Sequence, residues 1–250
     1  MKKFFLLIII SLVQVANINA QNSIEIFNKA NLNYKNNDYE LALNNYKQIE
    51  KKGEISKDLY LNIGNTYFRL KDYSNSILYY ERGLRIDPNN EELNTNLLVA
   101  KSRLKGDIYV LPDFFLVRFW HNISNLFLPS IWAYITLIFL FITCVVFVIY
   151  YFSVETKVFM FFTLLFFFIL SLTSFFAGYT RDKYLHDNSY AIVMRNDVFG
   201  KDSPDTKSMD KIHLFNGQKI KILSHEDNWV KIRIEDGKEA WILKENLVVI

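Results

Sequence analysis

Three sets of polar side chains recur at one constant spacing in the first part of the chain. The sets are Asn28, Asn62 and Asn96; Asn31 and Asn65; and Lys35, Arg69 and Arg103. An asparagine amide can pair with both the donors and the acceptors of a peptide backbone, and Lys or Arg can pair with a carboxylate. The pattern therefore predicts a surface that binds another polypeptide. The alternative is a solvated helix face in a chain rich in Asn and Lys, and the residues leave both interpretations open.

The residue types needed for catalysis or metal binding are not combined anywhere in the sequence. The four histidines are scattered and form no HExxH pair, and the eight glycines form no phosphate-binding loop. There is no G-x-S-x-G elbow. Cys144 is the only cysteine, which excludes a disulfide framework and a Cys-based zinc site. The net charge of +3 is too small to indicate nucleic acid. We therefore expect no enzymatic activity, no cofactor, no metal and no nucleic-acid partner.

The same constant spacing relates apolar and small residues within residues 21–106. Asp38-Tyr39 recurs as Asp72-Tyr73, and Tyr46 recurs as Tyr80. A repeat of about 34 residues is typical of paired helices that stack into a solenoid. The second unit has the clearest pattern, which is Tyr60, Ile63-Gly64, Tyr67, Asp72-Tyr73, Ser76, Tyr80, Gly83 and Pro88. This pattern resembles the tetratricopeptide repeat.

The resemblance implies roles for the small residues and the proline of the pattern. Gly64, Ser76 and Gly83 would let the two helices of the second unit pack closely, and Pro88 would end its second helix. A third helix, at about Glu91 to Lys105, would cap the array. In this family the first helix of each unit lines a concave groove, which would place the phased Asn, Lys and Arg side chains there.

The family's carboxylate clamp is matched only in part. Asn31 and Asn62 fit the clamp, but Phe27, Glu92 and Asn96 stand where the clamp has cations. A specific grip on a C-terminal carboxylate is therefore not expected.

Three segments are unusually apolar. Residues 1–20 have two lysines, an apolar stretch and a small-residue end, which predicts a secretory signal peptide or an uncleaved signal anchor. Residues 131–152 and 158–179 carry no charge, and each segment, at about 1.5 Å per residue, can cross a hydrocarbon core. The turn at 153–157 makes them an antiparallel transmembrane hairpin, with both flanks on one side of the membrane.

Two rules conflict on which side that is. The Lys/Arg bias favours Arg118, Arg181 and Lys183 inside the cell, whereas the signal peptide exports the same flanks. We give precedence to the signal, because long domains translocate largely regardless of charge. The turn is then cytoplasmic, and both flanks lie on the periplasmic side of the inner membrane.

The pattern of residues 107–130 predicts an amphipathic linker helix. Phe115, Phe119 and Ile123 recur at helical spacing, and Pro129 would break the chain before the first span. The helix would lie in the membrane interface or pack on the repeats. Residues 180–187 are expected to form a second linker.

Residues 188–250 show alternation of period two, with a turn signal at Asp236-Gly237. The sequence around Trp229 and Trp241 resembles bacterial SH3-like domains, in which Trp at these two places is largely structural. The resemblance implies a small all-β barrel with a shallow groove for peptide or cell wall. The expected fold class is a multidomain membrane protein with an α-helical tetratricopeptide-repeat solenoid, a two-span transmembrane helical hairpin and an SH3-like barrel.

The order of these segments resembles the E-protein family of the Bacteroides aerotolerance (Bat) operon over the whole chain. That family is associated with membrane-bound Bat proteins carrying von Willebrand A domains, with a MoxR-type ATPase, and with stress tolerance. The resemblance implies a non-enzymatic scaffold that gathers envelope proteins. The alternative is a cell-wall receptor whose SH3-like domain binds peptidoglycan, with the repeats as a spacer.

Overall fold

The computed structural model describes residues 22–104, 114–152 and 156–250. The predicted signal peptide, the start of the 107–130 linker and residues 153–155 of the turn lie outside these described residues. The chain divides into two compact units. One unit holds the N-terminal helices together with the C-terminal strands, and the other falls within residues 111–187. The two regions predicted as repeats and as an SH3-like domain are therefore parts of one unit.

Within residues 22–104 of the first unit, five helices form two helical hairpins and one further helix. They are α1 (22–35), α2 (Tyr39–Lys51), α3 (Lys57–Arg69), α4 (Tyr73–Ile86) and α5 (Glu91–Lys101). Each of α2 to α4 packs on the helix that follows it. This is the arrangement predicted from the repeat spacing, except that α5 ends before the predicted Lys105, at Lys101.

The short connections between these helices explain where each helix begins. Asn37 and Lys71, which occupy equivalent positions in the two units, both have positive φ angles, of 66° and 64°, in the turns before α2 and α4. The side chains of Ser56, Asp72 and Asn90 each accept a hydrogen bond from a backbone amide in the first turn of α3, α4 and α5. Such caps satisfy amides that have no partner within the helix.

Glycines allow two of the close helix contacts. A Cβ at Gly64 would lie 2.5 Å from Cε1 of Tyr80, so this glycine allows α3 and α4 to approach each other. A Cβ at Gly83 would instead lie 2.9 Å from the methyl groups of Leu93. Gly83 therefore permits the contact of α4 with α5. The short connection through Pro88 brings the end of α4 alongside the start of α5.

The second unit contains α6 (Phe115–Ser124), α7 (Pro129–Phe152) and α8 (Lys157–Leu185). By length and composition, α7 and α8 could each cross a membrane, and most of their side chains are exposed. They pack along each other, and α6 packs on α8, where Nε1 of Trp120 donates a hydrogen bond to Oγ1 of Thr180 at 3.2 Å.

Two boundaries in this unit differ from the prediction. α7 includes Pro129, because proline is compatible with the first turn of a helix. α8 continues past Tyr179 through most of the segment predicted as a linker, since Thr180 to Leu185 contains neither Gly nor Pro.

Seven strands form one antiparallel sheet at the end of the chain. They are β1 (Tyr190–Val193), β2 (Val198–Lys201), β3 (Asp210–Leu214), β4 (Lys219–Glu226), β5 (Trp229–Arg233), β6 (Glu239–Leu243) and β7 (Leu247–Val249). Their order is β3-β2-β6-β5-β4-β1-β7, with β3 and β7 at the edges. The sheet is not closed, so the predicted barrel closure is not confirmed.

The period-two pattern decides which side chains enter the core of the sheet. Val230 and Ile232 of β5 and Ala240 and Ile242 of β6 are buried together in one apolar cluster. The side chains between them face the other way, as expected for a strand. The Asp236-Gly237 turn joins β5 to β6 as predicted, with Gly237 at φ 89°.

Candidate protein-binding groove

The first helices of successive units are joined by a small hydrogen-bonded cluster. The hydroxyl of Tyr46 donates to Oδ1 of Asn31 at 2.6 Å, and Nδ2 of Asn62 donates to the same oxygen at 3.2 Å. Tyr46 is buried, whereas Asn31 and Asn62 are partly exposed. The cluster thus connects α1, α2 and α3.

The same cluster recurs one repeat later in the chain. The hydroxyl of Tyr80 donates to Oδ1 of Asn65 at 2.7 Å, and Nδ2 of Asn96 donates to it at 2.9 Å. Burial raises the pKa of Tyr80, as it does that of Tyr46, to about 12, so both hydroxyls remain protonated donors at neutral pH. We call the two clusters together the asparagine ladder. It consists of Asn31, Tyr46, Asn62, Asn65, Tyr80 and Asn96.

The ladder gives four of the predicted binding residues a structural part that the sequence analysis missed. The sequence analysis predicted that the phased asparagines either bind a polypeptide or lie on a solvated helix face. In the structure, Asn31 and Asn65 each accept two internal hydrogen bonds. The recurrence of Tyr46 as Tyr80, in the same phase, was the signal that could have revealed it. A tyrosine that is buried in each unit needs a partner for its hydroxyl.

The remaining predicted residues, Asn28, Lys35, Arg69 and Arg103, are exposed. Nε of Arg69 donates to the hydroxyl of Tyr39 at 2.8 Å, and its guanidinium lies 5.2 Å from the centre of that ring. Within the described part of the chain, the side chains of Lys35 and Arg103 make no hydrogen bond or ion pair. Two cations, Lys35 at the end of α1 and Arg103 just past α5, are therefore available, and Arg69 is held against an aromatic ring.

A second polar cluster, centred on Tyr79, was not predicted. The Tyr79 hydroxyl donates to Glu50 at 3.0 Å and accepts from Lys47, and Arg82 lies 3.4 Å from the same carboxylate. The ring stacks on Tyr67 at 5.6 Å. Burial, and then the Glu50 carboxylate, raise the pKa of Tyr79. The cluster joins α2 to α4 through charged residues that the sequence analysis did not single out.

The outer face of the sheet is a second candidate surface. Trp229 and Trp241 alternate with the buried residues of β5 and β6, so both are half-buried and neither belongs to the core. Trp241 is paired in register with Lys231 on one side and with Lys201 on the other. Hydrogen bonds from Arg233 and Lys231 lower the pKa of Glu239, on the same face, to about 2.

Family models of known proteins match both the helical repeats and the C-terminal sheet. The family model of the tetratricopeptide repeat matches residues 58–90, which include almost all of α3 and all of α4. The family model of the bacterial SH3 domain matches residues 202–248, from just before β3 into β7. No curated protein matches the chain. The chain therefore contains a tetratricopeptide repeat and a bacterial SH3 domain, as the sequence predicted.

Proposed function

We propose that this chain is a non-enzymatic, membrane-anchored scaffold that binds other envelope proteins through its repeats, in a Bat-type stress or aerotolerance complex. Its direct partners would be Bat proteins with von Willebrand A domains, and a MoxR-type ATPase would be reached through them. The observation that carries the proposal is the row of exposed, phased polar residues beside the asparagine ladder. The tetratricopeptide match supports protein binding in general.

The ladder leaves hydrogen-bonding groups that suit a polypeptide ligand. Asn31 and Asn65 use Oδ1 internally, and among the described residues neither uses Nδ2. Asn62 and Asn96 use Nδ2 internally and leave Oδ1. Each step of the ladder therefore keeps one donor and one acceptor, which is what one residue of an extended backbone requires.

The exposed cations that recur with the repeat favour an acidic partner. Lys35, Arg69 and Arg103 recur in phase and are all exposed. Charged groups at an interface mainly set specificity and the rate of association. Carboxylates on the partner would therefore add to the backbone contacts of the ladder.

An inner-membrane location is supported by three features together. They are the signal-like segment at residues 1–20, the two helices long enough to span a bilayer, and the unit that contains both flanks of those helices. If α7 and α8 cross the membrane, the two halves of that unit must lie on the same side. We propose that this is the periplasmic side, and protease added to spheroplasts should then degrade both halves. Protection of either half would contradict the topology.

The binding proposal is tested by reversing the two available cations. Lys35→Glu with Arg103→Glu should lower the capture of membrane proteins at least about tenfold after crosslinking in native membranes, with little change in melting temperature. The matched control is Lys207→Glu with Lys244→Glu, which makes the same change in net charge at exposed positions in the connections between the C-terminal strands. Equal capture by the parent and by the first variant would exclude the groove as the binding surface.

Peptidoglycan binding by the sheet is the second candidate function. It is favoured by the bacterial SH3 match and by the two half-buried tryptophans on the outer face. The protein should then co-sediment with purified peptidoglycan. Trp241→Ala should abolish this co-sedimentation, and Lys35→Glu with Arg103→Glu should leave it unchanged. Under the scaffold function, the capture of membrane proteins should be lost in Lys35→Glu with Arg103→Glu and kept in Trp241→Ala. The two assays therefore separate the two candidate functions.

A further inference from the structure

The C-terminal sheet contacts the repeats through strand β1 and the end of the chain. Ile192 and Ile250 are buried in the same apolar cluster as the helices, while Ala191 and Val193 belong to the core of the sheet. β1 is therefore buried on both faces, which is unusual for an antiparallel strand close to the edge of a sheet. The helix that it contacts is α4.

Side chains of α4 also occupy the edge of the sheet at β7. Nη2 of Arg82 donates a hydrogen bond to the backbone oxygen of Val249 at 3.1 Å, and Arg85 donates to that of Ile250. An edge strand normally presents unpaired carbonyl groups to solvent. Here two guanidinium groups bind them, so the edge is joined to the helix.

An ion-paired cluster lies at the same contact. The Glu81 carboxylate of α4 is buried, 2.7 Å from Nζ of Lys219 in β4 and 3.4 Å from Nζ of Lys101 in α5. Glu235, in the turn between β5 and β6, lies within electrostatic range of the cluster: burial raises the pKa of its carboxyl, and Lys101 and Lys219 oppose that rise. One carboxylate thus joins α4, α5 and the sheet.

We propose that the C-terminal sheet is the terminal cap of the repeat array, held on α4 by the ion-paired cluster at Glu81. A short array needs a cap, because each repeat is stabilised mainly by its neighbours. Among the described residues, α5 has no paired second helix of the repeat type, and the sheet contacts α4 beside it. This role is separate from any binding of peptidoglycan, for which only the outer face with Trp229 and Trp241 remains available.

The charge arrangement explains why the contact is specific. A buried carboxylate without a partner is strongly unfavourable, whereas a paired one is tolerated. Glu81 therefore requires Lys219, and a sheet that moved away would leave the carboxylate with Lys101 alone.

Docking can be measured in native membranes by a disulfide across the contact. The hydroxyl of Ser74 donates a hydrogen bond to the side chain of Asn216, so these side chains touch. Ser74→Cys and Asn216→Cys are combined in a Cys144→Ser background, and the linked peptide is quantified by mass spectrometry after mild oxidation. We expect the linked peptide in most molecules and none in either single-cysteine variant. A yield no higher than that of the single variants would overturn the proposal.

The ion-paired cluster is tested in the same background. Lys219→Glu, which places a second carboxylate beside Glu81, should lower the disulfide yield at least about fivefold. Adding Glu81→Lys reforms the pair with residue 219 with its charges exchanged and should recover part of the yield, because the new ammonium group also lies beside Lys101. Lys207→Glu makes the same charge change at an exposed position in the connection between β2 and β3 and should leave the yield unchanged. An unchanged yield in Lys219→Glu, or no recovery with Glu81→Lys, would overturn the role of the cluster.

Discussion

The hydroxyl of Tyr80 donates a hydrogen bond to Oδ1 of Asn65 at 2.7 Å, and Tyr46 and Asn31 form the same bond one unit earlier. Both tyrosines are buried and both asparagines also accept from the next asparagine of the ladder. A bond that recurs with the repeat is a property of the repeat, so the asparagines contribute to its stability.

Asn65→Ala should therefore destabilise the repeats. The change leaves the Tyr80 hydroxyl and the Asn96 amide without their acceptor, at a cost of about 1–3 kcal/mol in the free energy of unfolding. Asn28→Ala is the matched control, because Asn28 is exposed and such a change typically costs within about 0.5 kcal/mol. Thermal unfolding of the full chain in detergent, followed by helical circular dichroism, would measure both. Equal losses would mean that the ladder contributes nothing.

Gly64→Ala should cost more than Gly83→Ala. The new methyl group at residue 64 would meet the ring of Tyr80, which is buried and fixed by its hydrogen bond to Asn65. At residue 83 it would meet only the methyl groups of Leu93, which can rotate. Overpacking of the first kind costs roughly 1–3 kcal/mol. Urea unfolding of the two variants compares them directly, and a larger loss for Gly83→Ala would contradict this assignment.

The sequence predicted the repeated features well and the contacts between distant segments poorly. The constant spacing of the repeat placed α1 to α5, and period two placed β4 to β6, because both patterns reflect local packing. The pairing of Glu81 with Lys219, which are 138 residues apart, has no local pattern and could not be predicted. For the same reason the phased asparagines were visible, but their pairing with one another was not.

Acidification should weaken the first unit through Glu81. Burial alone would raise the pKa of its carboxyl, but the ammonium groups of Lys219 and Lys101 outweigh burial and hold the pKa below 4.5. A carboxyl with a lowered folded-state pKa stabilises the protein at neutral pH, and this contribution is lost as the pH falls through that pKa. The melting temperature should therefore fall on acidification, and it should fall less in Glu81→Gln.

The ionised carboxyl of Glu235 should have the opposite effect on stability. Burial raises the pKa of its carboxyl, so the ionised form costs stability above that pKa. Glu235→Gln should raise the melting temperature at pH about 7, and the gain should shrink as the parent becomes protonated at lower pH. A lower melting temperature for this variant at neutral pH would show that the carboxylate has a stabilising partner.

Gly217→Ala should separate the cost of backbone strain from the cost of disturbing the cap. Gly217 has φ 81°, and a Cβ there would overlap Leu104 and lie 3.2 Å from Cδ1 of Ile77. Gly237 has φ 89° with nothing within 4 Å, so Gly237→Ala carries the same strain, about 1 kcal/mol, without the clash. Gly217→Ala should lose roughly 1–3 kcal/mol more than Gly237→Ala, because the clash is added to the strain. Hydrogen exchange of α4 measures the difference, and equal protection in both variants would mean that the sheet does not support the helix.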